Sequence, residues 1–115
     1  DRSAADEPSI VKVVASLSGR AQYFSRTAIP AHAVGRDAAP MFRHVGLYAY
    51  RVSTLRRFVN QQQSKLEKIE RLEQLRFMAH GVKIHVEKAC CDVPHGVDTK
   101  EDLLKINESF KNLST

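Results

Sequence analysis

A chain of 115 residues can bury one modest core, and 43% hydrophobic with 27% charged residues is the composition of a folded domain, not of a disordered tail. No apolar run approaches the roughly 20 residues that span a bilayer, and no signal-peptide pattern opens the chain, so no membrane insertion is expected. The net charge of +5 is spread along the sequence and alternates with Glu between Lys65 and Arg76. Arg51, Arg56 and Arg57 form the one compact basic cluster, with no aromatic stacking motif beside it, so no nucleic-acid partner is expected.

The polar, acidic start, Asp1 to Pro8, reads as a loop. Ile10 to Ala15 is β-branched and apolar and predicts a short strand; Ser18-Gly19 turns the chain, and Ala21 to Arg26 pairs back. Ile29 to Pro40 carries Pro30, Gly35 and Pro40 without periodicity and predicts a loop. Phe42 to Tyr50 reads as a mostly buried strand, with Val45, Leu47 and Ala49 on one face and His44, Gly46, Tyr48 and Tyr50 on the other. Ser53 to Asn60 predicts a short helix capped by Ser53 or Thr54. Leu66 to His80 predicts one continuous helix stopped by Gly81. Val82 to Ala89 reads as a strand, and Thr99 to Leu113 as the last helix. The mixture predicts a single α/β domain over residues 1–115.

Several side chains stand out chemically. On a continuous helix Glu73 has Ile69 at i−4 and Phe77 at i+4, and a carboxylate on an apolar stripe is costly unless paired or hydrogen-bonded. It either bonds a local group or serves a ligand. Asp98 either caps the last helix with Glu101, or lies just outside a cap formed by Thr99 and Asp102. His44 and Tyr48 flank Gly46 on one strand face, leaving concave space that suits a ligand floor; a satisfied core histidine is the plainer reading. Arg26 ends its strand with a guanidinium suited to a carboxylate, or is a surface charge. Cys90 and Cys91 are adjacent and match no zinc spacing with His85 and His95, which points to a reducing compartment.

Four segments carry a family resemblance: Tyr23-Phe24-Ser25-Arg26, Arg43-His44-Val45-Gly46-Leu47-Tyr48-Ala49-Tyr50, the run from Lys65 to Arg76, and His95-Gly96-Val97-Asp98-Thr99. In order and spacing, from about Ser9 to about Ile106, they resemble the carboxy-terminal half of the 3-deoxy-manno-octulosonate cytidylyltransferases, which make CMP-Kdo for lipopolysaccharide. The resemblance implies the sugar-binding and dimer-forming half of an α/β nucleotidyltransferase fold, with a mixed sheet and flanking helices. It implies that Arg26, His44, Tyr48, Glu73 and Gln74 bind Kdo, Arg26 near its acid and Glu73 and Gln74 on its hydroxyls. Asp98 becomes one of two Asp ligands for Mg2+, the second lying in an amino-terminal nucleotide-binding half with no counterpart in this sequence. The implied reaction joins CTP and Kdo in the cytoplasm. The implied assembly is a homodimer, with a separate chain as one source of the missing half, and the isolated chain is expected to be inactive. Thr27-Ala28-Ile29-Pro30 departs from the family pattern, so no arginine of the following loop, Arg36 included, is carried over. A non-catalytic interaction module of the same fold is the alternative.

Overall fold

The computed structural model describes residues 6–31, 41–94 and 96–113; Arg36, His95 and most of the Ile29 to Pro40 loop lie outside them. The apolar run after Ile10 forms β1 (Lys12–Ala15), and β2 (Ala21–Ser25) folds back on it. Gly19 makes this return possible. Its φ of 84° is a conformation that L side chains avoid, and a Cβ there would stand 2.5 Å from Cε1 of His85. Lys12 pairs with Ser25, Val13 with Phe24 and Val14 with Tyr23, before a bulge sets Ala15 opposite Ala21. β3 (Phe42–Arg43) adds antiparallel to the other edge of β1, giving the order β2-β1-β3. Both pairings are antiparallel, so only the antiparallel part of the expected mixed sheet is found among the described residues.

The register sorts the two faces. Directly paired residues share a face, so Val13, Phe24 and Phe42 lie on one side and Lys12, Ser25 and Arg43 on the other. The core gathers Val13, Ala21, Phe24, Leu72 and Leu75, with Tyr23, Met78, Ile84 and Val86 packed against it. Lys12 is buried as well, and its Nζ donates to the carbonyls of Glu7 at 2.8 Å and Arg26 at 2.7 Å. Burial lowers its pKa, opposed by the charges of Asp6 and Glu7.

Three predicted elements are shorter than expected. The strand proposed for Phe42 to Tyr50 ends at Arg43. The His44 N–H donates to the Val11 carbonyl at 2.7 Å, and Gly46, at φ 82°, then turns the chain away from β1. Val45, Leu47 and Ala49, the expected buried face, are exposed. The strand proposed for Val82 to Ala89 reduces to one antiparallel bridge, His85 to Arg20. Ala21 donates to Ile84 and Val86 to Gly19, so this segment lies against the hairpin's turn, where no straight edge continues the ladder.

The helix proposed for Leu66 to His80 is two helices. After α1 (Val52–Asn60), which begins after Arg51 with no side-chain cap in place of the expected Ser53 or Thr54, the chain forms α2 (Lys65–Glu70) and α3 (Gln74–Ala79). Ser64 caps α2, its hydroxyl accepting from the Glu67 N–H at 3.1 Å. Arg71 then takes the left-handed conformation, φ 54° and ψ 47°, and breaks the helix. The last helix, α4, spans Lys100–Leu113.

Candidate functional site

A row of rings runs from buried Phe24 across exposed Tyr48 and Tyr50 to buried Phe77. The Phe24 ring, fully buried, meets His44 edge-on at 5.0 Å between centroids, and His44 meets Tyr48 edge-on at 5.2 Å. Tyr48 stacks on Tyr50 at 5.5 Å, Tyr50 on Phe77 at 5.4 Å, and Phe77 on Phe58 at 4.4 Å. The Arg76 guanidinium ends the row, 4.3 Å above Phe58. Such ring pairs carry about 0.5–1.5 kcal/mol each beyond area burial, so the row fixes ring orientations as well as covering the core. A cleft of about 580 Å³ opens over the Val13, Phe24 and Phe42 face, with His44, Gly46 and Tyr48 on its wall.

Glu73 does not occupy the stripe drawn for it. Because the helix breaks at Arg71, Glu73 becomes the exposed residue just before α3, and its former neighbour Ile69 is 75% exposed. Its charge instead reaches the ring row, opposing the burial that lowers the His44 pKa and adding to the burial that raises those of Tyr48 and Tyr50. At neutral pH His44 is therefore uncharged and Tyr48 holds its proton. Gln74, next in sequence, is 3% exposed at the start of α3. The break at Arg71 thus separates an outward carboxylate from an inward amide.

Arg26 sits at that break. Its Nε donates to the Glu70 carbonyl at 2.8 Å, Nη2 to the Arg71 carbonyl at 3.1 Å and Nη1 to the Pro8 carbonyl at 3.1 Å. Asp98 belongs to a different region. Thr99 Oγ1 accepts from the Asp102 N–H at 3.1 Å, while the Asp102 carboxylate accepts from the N–H groups of Thr99 at 3.0 Å and Asp98 at 3.2 Å. Of the two caps open in the sequence, the Thr99–Asp102 box is the one formed, and Asp98 stands just outside the helix. Among the described residues no group of three or more His, Cys, Asp or Glu gathers as a metal site. Asp98 supplies one carboxylate, which is not by itself a metal site.

Sequence reasoning missed the ion pair of Glu67 and Arg76, bidentate at 2.8 and 2.6 Å, and the carboxylate of Glu70. Arg76 holds Glu67 below the usual carboxylate range against the effect of burial. Both glutamates lie in the alternating Lys-Glu run that reads as a solvated face; their pairing signal is long-range and has no local pattern.

The sequence profile described as "Cytidylyltransferase" matches residues 1–84. The chain belongs to this family. Among its members, the 3-deoxy-manno-octulosonate cytidylyltransferase of Cellvibrio japonicus (strain Ueda107) is 50% identical over 108 residues, covering 86% of this chain and 42% of the relative. The protein of that name from Legionella pneumophila (strain Corby) is 44% identical over 110 residues, covering 95% of this chain and 44% of the relative. A solved structure of CMP:2-keto-3-deoxy-manno-octonic acid synthetase complexed with CTP superposes with a TM-score of 0.87 at 37% identity, over 97% of this chain and 46% of that one. The α/β nucleotidyltransferase fold is thus established for this chain, which spans under half the length of the relatives it matches.

Proposed function

We propose that this chain supplies the Kdo-binding half of a cytidylyltransferase that converts CTP and Kdo to CMP-Kdo and pyrophosphate for lipopolysaccharide synthesis in the cytoplasm. The observation that carries the reading is the cleft walled by His44, Gly46 and Tyr48, whose rings feel the charge of Glu73 at the turn before α3. A sugar needs such a mixture. Neutral His44 and protonated Tyr48 exchange hydrogen bonds with hydroxyls without burying a charge, while the Glu73 carboxylate accepts from two neighbouring hydroxyls and the Gln74 amide both donates and accepts. Arg26 offers a sugar acid the N–H groups beyond its three carbonyl bonds.

In the reaction the anomeric oxygen of Kdo bonds to the α-phosphorus of CTP, the bond from that phosphorus to pyrophosphate breaks, and the hydroxyl proton departs. This half orients the attacking oxygen, and positioning of that kind can supply a large share of a rate enhancement. Asp98 would hold magnesium, which when bound offsets phosphate charge. The remaining carboxylate and the CTP cradle come from the other half, in the same chain or a separate one.

Mixing the chain with the amino-terminal part of the Cellvibrio relative and following pyrophosphate release tests this reading. Glu73→Ala should raise the KM for Kdo at least tenfold and leave the KM for CTP within about twofold, a loss of about 1.4 kcal/mol or more on the sugar side alone. Equal losses for both substrates would remove the role assigned to Glu73.

A further inference from the structure

The run from Lys65 to Ala79 contains no Gly or Pro and is rich in Leu, Glu, Lys and Arg, yet the helix breaks at Arg71. Local propensity favours continuation, and the left-handed backbone of Arg71 carries a steric cost for any residue with a Cβ. The turn's own hydrogen bonds are few: the Arg71 and Leu72 N–H groups both reach the Glu67 carbonyl, the latter at 3.3 Å. A break that opposes propensity persists where tertiary contacts over-determine it, and such strain collects at functional sites.

The tertiary contacts here converge on Glu70. Its Oε1 accepts from the Tyr23 hydroxyl at 3.1 Å and the Ser25 hydroxyl at 2.8 Å, and its Oε2 from the Arg26 N–H at 3.1 Å. In return, Arg26 donates to the main-chain carbonyls of Glu70 and Arg71, the two residues at the break. Buried Lys12 holds the Arg26 carbonyl from behind. Burial alone would raise the Glu70 carboxyl, but the Arg26 N–H and the Ser25 and Tyr23 hydroxyls outweigh it and hold the group ionised. Side chain and main chain of Glu70 are thus bonded to three of the last four positions at the strand end, Tyr23, Ser25 and Arg26 being its donors.

We propose that Glu70 is a positioning residue for the sugar site: by clamping the end of β2 to the left-handed turn at Arg71, it sets Glu73 outward and Gln74 inward at the start of α3. This rests on the sugar-binding reading above. Glu70 itself touches no substrate in this scheme. A helix continued through Arg71 would carry Glu73 around the axis with Glu70, three residues apart on one face, and the carboxylate would leave the ring row.

Two readouts on the full chain separate the clamp from the sugar reading. The first is the imidazole titration of His44 by NMR, which the charge of Glu73 raises in the present arrangement and raises less if Glu73 moves away; it needs no ligand. The second is the Kd for Kdo. Glu70→Gln keeps an acceptor for the two hydroxyls but puts an amide N–H against the Arg26 N–H. It should lower the His44 pKa below the wild-type value and weaken Kdo binding at least tenfold. Tyr23→Phe, which removes one donor and keeps the core volume, should move both in the same direction by less, and it stands in if Glu70→Gln does not fold. If wild-type chain shows no Kdo binding, the sugar reading falls while the His44 titration still judges the clamp. If wild type binds and both variants keep its titration and Kd, the clamp is overturned.

Discussion

His44 occupies a place that disfavours its charged form, between the edge of Phe24 and the ring of Tyr48, with Glu73 only partly offsetting the burial. Its folded pKa lies below the ordinary 6.5, so in the window just under that value the unfolded chain binds more protons than the folded one. Stability therefore falls as pH drops through 6.5 and levels off below the folded pKa. Urea unfolding between pH 7.5 and 5.5 should show this slope, and His44→Phe should flatten it; an unchanged slope would place His44 in solvent. The carboxylates of Glu67, Glu70 and Asp102, also held low, lose their contribution only below about 4.5, a separate window. At this scale the proximity of His44 and Tyr48 was legible in the sequence but its cause was not: the rings meet edge-on beyond the end of β3, not on a strand face. Glu70 and Lys12 were not legible, because their partners come from residues distant in the chain or from main-chain carbonyls.

Among the elements, the hairpin and the last helix follow from local signals: β-branched residues around Ser18-Gly19, and the Thr99–Asp102 box. The break between α2 and α3 does not, since it sets a tertiary clamp against helix propensity. Arg71 bears the local cost of that break. Arg71→Gly keeps the main-chain carbonyl that Arg26 uses and removes the Cβ clash, and should stabilise the chain by about 1 kcal/mol in thermal or urea unfolding. A destabilisation of that size would mean that the Arg71 side chain, not the backbone geometry, holds the turn. The shortened strands after Arg43 and Val82 have a related cause: apolar residues alone suggest strands, whereas a ladder also needs an available edge.

Across the described residues, much of the exposed apolar surface lies on the helices. Val52, Leu55 and Val59 recur at helical spacing on α1, with Val59 75% exposed, and Leu66 and Ile69 are exposed on α2. A face of this kind marks an interface. The expectation that two copies of this chain pair through this face is testable: light scattering at tens of micromolar should give twice the chain mass, and Val59→Glu should return it to the monomer mass. A monomeric wild type would refute the contact. The described residues contain no helix long and apolar enough to cross a membrane.

Which substrate this half recognises decides its role. Kdo and then CTP with magnesium should be titrated into isotope-labelled chain, and the amide and ring resonances followed. Saturable shifts centred on His44, Tyr48, Glu73 and Gln74 are predicted for Kdo, with no saturable response to CTP. A chain silent to Kdo that instead binds CTP at micromolar concentration would contradict the assignment of this half to the sugar.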